Sequence, residues 1–176
     1  MSVMELDILK EFLESNVANT IKLQKPSDDN VELYELVNPS VHVGWIPPKG
    51  FLPEGMETSI PCLIVGLDDG DSDTNSSNMN IRVSAAIYSP GEHVLNGDLV
   101  EFNPSFNGYR DLMNLVDRTV TELMKNPIIA QKISVSRSLK WGMYEENPYP
   151  YWYGWIRFSI STAPQSYVQS IAQQYL

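Results

Sequence analysis

Apolar residues recur at three- and four-residue steps in two stretches of the chain and alternate with polar ones in several others. Near the start, Leu6, Leu9, Phe12, Leu13, Val17 and Ile21 fall on one stripe, with Glu5, Lys10, Glu11 and Glu14 between them. That spacing predicts a helix over Val3 to Leu23. Ser2 and Glu5 have the form of a capping box, and Pro26 ends anything helical. The clearer stripe is Tyr109, Leu112, Met113, Val116, Val120, Leu123 and Met124, with Asn107 as N-cap and Asn126-Pro127 as the stop. Thr162 and Pro164 open a short C-terminal helix carrying Tyr167, Val168, Ile171 and Tyr175.

Strands are expected at Val31–Val37, Val41–Ile46 and Cys62–Leu67. Met79 to Tyr88 alternates, with Ile81, Val83, Ala85 and Ile87 on one face. Ile133 to Glu145 reads as one strand and Trp152 to Thr162 as the last, with Trp152, Gly154, Ile156, Phe158 and Ile160 sharing a face. Between Leu67 and Met79 lies an acidic stretch, Asp68 to Asn78, expected to be a mobile hairpin tip. Ser89 to Asn107 reads as a loop, as does the segment holding Pro47, Pro48, Gly50, Pro53 and Gly55. The pattern therefore predicts a single α+β domain over residues 1–176. Its sheet is mostly antiparallel, of about five or six strands, with helices packed on one face.

A chain of 176 residues can bury a core without a metal or disulfide staple. Cys62 is the only cysteine and sits in an apolar run, so a buried core thiol and a reducing compartment are expected. Lys and Arg number 12 against 22 Asp and Glu, a net charge of −10. Without a basic stripe to neutralise phosphates, direct nucleic-acid binding is not expected. The first residues lack a basic leader, and no apolar run reaches the ~20 residues that span a bilayer, so no membrane partner is expected.

The chain carries few residues in a pattern that would support chemistry. His42 alternates with Val41 and Val43 on an expected strand, and His93 lies in an expected loop; neither stands in a nucleophile motif. Two separated histidines and one cysteine lack zinc-ligand spacing. Neither a P-loop nor a dinucleotide-binding glycine fingerprint occurs. Asp69, Asp71, Asp73 and Asn75 are spaced like the start of a calcium loop, but the sixth and twelfth positions, which need Gly and Glu, are Thr74 and Asn80. No catalytic residue, cofactor or metal is expected, and a non-enzymatic role follows.

Three of the four tryptophans and four tyrosines lie between Trp141 and Trp155. Large aromatics on both faces of a strand exceed what one core takes up, so either a helix covers the second face or the surplus is an interface, where Tyr and Trp are favoured anchors; core packing is the expected fate of most of these residues. Tyr149, Tyr151, Trp152 and Tyr153, with Asp69, Asp71 and Asp73 on the acidic hairpin, are the candidate assembly residues.

Gly108-Tyr109-Arg110-Asp111-Leu112, the helix running to Asn126-Pro127, Leu139-Lys140-Trp141 and the run Glu145-Glu146-Asn147-Pro148-Tyr149-Pro150-Tyr151-Trp152-Tyr153-Gly154 form a combination. Together with the preceding hairpin, it resembles small prophage proteins of Gram-positive bacteria, the tail-completion or tail-terminator proteins of long-tailed phages. The resemblance covers roughly residues 60 to 162 and is carried by short motifs. It implies a sheet flanked by helices, and a homo-oligomeric, commonly hexameric ring that stops tail-tube growth. It also implies tail-tube and head-connector partners, no active site and no cofactor. The location implied is the virion, after synthesis in the host bacterial cytoplasm. Another head–tail joining or minor tail component shares this composition. A calcium- or ligand-binding accessory module is the alternative from a different class.

Overall fold

The alternating stretches pair into one large sheet, and the two helical stripes pack on it. The computed structural model describes residues 2–29, 33–45, 59–73 and 75–163. The expected C-terminal helix, the proline-rich segment between Ile46 and Glu57 and most of the expected strand's start at Val31 lie outside the described residues.

Helix α1 spans Ser2–Asn16 and buries Leu6, Leu9 and Leu13, with Val17 just beyond it. It ends short of the expected Leu23. Asn16 Nδ2 donates to the Phe12 carbonyl (2.9 Å) and Thr20 Oγ1 to the Val17 carbonyl (2.6 Å). Polar side chains that take up nearby carbonyls compete with helix propagation. A 3₁₀ turn at Ala18–Thr20 follows, then strand β1 (Leu23–Gln24) paired antiparallel with β2 (Leu36–Val37).

The main sheet runs β3 (Ser40–Val43), β4 (Cys62–Ser72), β5 (Ser77–Tyr88), β11 (Tyr151–Thr162), β9 (Ile133–Val135) and β8 (Ile128–Ile129). A further strand, β10 (Lys140–Met143), pairs with β11 beside β9. Strands β6 (Gly91–Asn96) and β7 (Leu99–Pro104) form a separate two-stranded hairpin. Helix α2 spans Gly108–Lys125.

The expected α+β fold, a mostly antiparallel sheet with helices on one face, is therefore corrected. Strands take 44% of the described residues and helices 25%, and the sheet is curled and mixed. Its edge pair β3–β4 is parallel, Ser40 opposite Cys62 through Val43 opposite Val65. Parallel neighbours need a long connection rather than a tight turn, and residues 44–61 supply one. Two segments read as loops are strand: the acidic stretch continues β4 to Ser72, and residues 91–104 form β6 and β7. The expected single strand Ile133–Glu145 is broken into β9 and β10. Between them Ser136 accepts the Ser138 backbone N–H on its hydroxyl (3.2 Å).

The main core joins Leu9 and Leu13 of α1 and Leu112, Leu115, Val116 and Leu123 of α2 to one parity of the central strands. That parity is Leu63, Val65, Ile81, Val83, Ala85, Ile87, Ile156, Phe158 and Ile160. The buried side of α2 is rotated from the expected stripe: Leu115 and Thr119 are buried, whereas Tyr109 is 49% and Met124 42% exposed. The opposite parity carries a second cluster of Ile60, Cys62, Ile64, Ala86, Tyr88, Tyr144 and Tyr153.

Candidate assembly surface

Most of the expected aromatic anchors are held by the fold. Tyr153 is 3% exposed, inside the second cluster, and its backbone N–H donates to Asn147 Oδ1 (2.5 Å). Tyr151 is half-buried, its ring 5.3 Å from that of Tyr88. Trp152 packs against the main core, and its indole N–H donates to the Ser89 carbonyl (3.1 Å). Gly108 opens α2 directly against this indole, where a Cβ would overlap the ring. Tyr149 is 50% exposed, although its hydroxyl donates to the Pro90 carbonyl. The loop before β11 thus pins the base of β6–β7, and of the four aromatics Tyr149 presents the most surface. Asp111, in the first turn of α2, accepts from the Ser89 hydroxyl (2.9 Å). Burial raises its carboxyl above the ordinary carboxylate range, the Ser89 bond partly opposing.

The acidic hairpin is ordered by its own carboxylates. Asn80 Nδ2 donates to Asp69 Oδ1 (2.6 Å), and Asn80 Oδ1 accepts from the Ser159 hydroxyl (2.6 Å). One rung along, Asn78 bridges Asp71 (3.4 Å) and Ser161 (2.6 Å). Asp73 Oδ1 accepts the backbone N–H groups of Asn75 (2.6 Å) and Ser76 (2.8 Å), which hold its carboxyl below the usual range. Asp69 and Asp71 lie along β4 and Asp73 just beyond its end, so the three carboxylates do not converge. Among the described residues no group of three or more His, Cys, Asp or Glu is placed to hold a metal.

Asp68 occupies a β-bulge between Leu67 and Asp69. Its carboxylate takes Arg82 at 2.9 Å and Arg157 at 3.5 Å, and Arg157 lies 4.9 Å from the Trp155 ring centroid. Two shallow grooves flank this triad. One of about 410 Å³ is lined by Arg82, Tyr144, Glu145, Glu146, Trp155 and Arg157 among others. The other, of about 340 Å³, includes Asp68, Asn80, Lys140 and Ser159.

The two histidines are also engaged. Ser40 donates its hydroxyl proton to the Ser59 carbonyl (2.9 Å), which leaves the His42 ring as donor in the 2.9 Å contact between them. The His93 ring makes tilted contacts with Tyr34 (4.2 Å between centroids) and Phe102 (5.5 Å).

The surface that sequence reasoning missed is the β6–β7 arm. Leu95 is 75% and Leu99 72% exposed, with Val94 and Val100 also exposed. Leu95 and Val100 are cross-strand partners on one face. Gly97 adopts a φ of +66° at the tip, the backbone that a two-residue hairpin turn requires. The signal was present in Leu95-Asn96-Gly97-Asp98-Leu99, a Gly-Asp turn flanked by apolar residues. Asn107, read as the α2 N-cap, makes no side-chain cap bond; its amide donates to Glu92 of the arm instead.

No protein-family model matches the chain, and no curated protein matches it. Among the described residues no helix is long and apolar enough to cross a membrane.

Proposed function

We propose that the protein is a non-enzymatic virion-assembly component that acts as a tail terminator: it forms a ring on the end of a phage tail tube and meets the head connector there. The observation that carries this reading is the β6–β7 arm, a two-stranded hairpin outside the main sheet with leucines 75% and 72% exposed. An isolated two-stranded hairpin is marginal in water, and exposed apolar side chains at its tip gain by contact with another protein surface. The motifs from Gly108 to Gly154 that resemble tail-completion proteins point the same way. Self-association, tail and connector proteins as partners, and a virion location belong to this reading.

The test is sedimentation velocity over a wide concentration range, with electron microscopy of purified tails lacking this protein before and after it is added. Rings in solution or on tail ends are expected, with tails becoming competent to join heads. Protein that decorates tails or heads elsewhere would move the reading to another head–tail joining or minor tail component. Failure to bind either structure would end it.

A further inference from the structure

We infer that the β6–β7 arm of one copy docks on the basic patch at the α2–β9 end of a second copy, in a head-to-tail contact. This deepens the assembly reading above and rests on it.

Charge is segregated along the chain. Between Arg82 and Arg110 there is no Lys or Arg, while the arm carries Glu92, Asp98 and Glu101. Between Glu122 and Glu145 there is no Asp or Glu, while Lys125, Lys132, Arg137 and Lys140 all lie there, and all four are exposed; Lys125 pairs with Glu122 (2.9 Å) and Lys140 shares a groove with Asp68 and Asp69, so the positive charge of the patch rests on Lys132 and Arg137. Each segment also exposes apolar surface: Leu95 and Leu99 on the arm, Ile128 (67%) and Met124 (42%) on the patch. Two surfaces with opposite charge and matching apolar content are complementary, and the charges set the orientation of the encounter.

The two surfaces cannot meet within one molecule. The arm is rooted at the N-terminal end of α2, where Asn107 donates to Glu92. The patch begins at the other end, with Lys125 as the last residue of α2. The 18 residues of α2 span about 27 Å, whereas a six-residue strand reaches only about 20 Å. The strand register agrees. The arm follows Tyr88, which pairs with Tyr151 at one end of β11, while β9 pairs with Ile160 to Thr162 at the other. A surface at one end of a subunit that fits a surface at the opposite end makes a heterologous contact. Such contacts close into rings where the rotation between copies allows.

The test uses two variants that each lack one surface. Leu95→Ser/Leu99→Ser removes the apolar tip of the arm, and Ile128→Ser/Lys132→Glu removes the patch; all four positions are exposed, so both variants should fold, as circular dichroism and melting would verify. Wild-type protein should assemble with concentration. Each variant alone should sediment as a monomer, with association weakened at least tenfold. Mixed one to one, they should form a heterodimer and nothing larger, because one intact arm meets one intact patch. Wild-type protein that stays monomeric, a variant that assembles like wild type, or a mixture that stays monomeric overturns the contact. If wild type and both variants assemble alike, the contact falls while self-assembly stands. If the mixture dimerises but wild type binds neither tails nor heads, the contact stands and the tail reading falls.

Discussion

Asp68 and Arg82 face each other across β4 and β5, with the carboxylate 2.9 Å from Nη2 and the side chains only 20% and 12% exposed. The bulge at Asp68 makes this possible by turning an additional acidic residue onto the sheet surface. Removing one partner leaves the other poorly solvated, which costs more than the pair is worth in total. Asp68→Ala should therefore lower stability by about 1–3 kcal/mol. The double variant Asp68→Ala/Arg82→Met should recover part of that loss. Denaturant midpoints of the two proteins check it; equal losses would mean the pair is merely a surface contact.

The face of α2 gives a second test. Leu115→Ala should cost about 2–5 kcal/mol, because the side chain is fully buried in the main core. Tyr109→Ala should cost less than about 1 kcal/mol, since that ring is half exposed and lies off the buried face. Urea titrations of both variants decide between this face and the Tyr109–Met124 stripe.

Gly108 and Trp152 are packed against each other with no room for a methyl group. Gly108→Ala should displace the indole, weaken its bond to the Ser89 carbonyl and destabilise the protein by about 1–3 kcal/mol. Tryptophan fluorescence should shift in the native state. Trp152→Ala should lower the melting temperature before it affects association, because this side chain packs against the core.

The acidic hairpin should not respond to calcium. Asp69, Asp71 and Asp73 each accept hydrogen bonds within the hairpin and do not converge, whereas calcium needs about six to eight oxygens around one point. Millimolar calcium should leave the melting curve where it is. A rise of many degrees would bring back the binding-module reading.

Cys62 is fully buried, and burial pushes its thiol from an ordinary value of 9.0 up to about 12. An aromatic disulfide reagent at pH 8 should react with it only on unfolding. The folded state favours the neutral thiol, so this contribution is complete below the unfolded pKa and is lost as pH rises from about 9 towards 12. Cys62→Ala should flatten that part of the stability profile. Fast labelling of native protein would contradict the burial.

The sequence alone determined the strand parities of β5 and β11, the existence of α2 and the core position of Cys62, because each rests on a local period or a local apolar run. It could not determine the pairing. The parallel β3–β4 edge depends on where a long connection returns the chain, and the break between β9 and β10 depends on what β11 offers across the gap. The acidic stretch looked like a solvated tip because its residues are polar. Only cross-strand partners such as Asn80 and Ser159 make strand of it. The aromatic run is ambiguous locally, since Tyr and Trp suit both a core and an interface. Tertiary packing buried Tyr153, set Trp152 against Gly108 and left the exposed apolar surface on the β6–β7 arm, where a Gly-Asp turn and two short apolar pairs read as a loop.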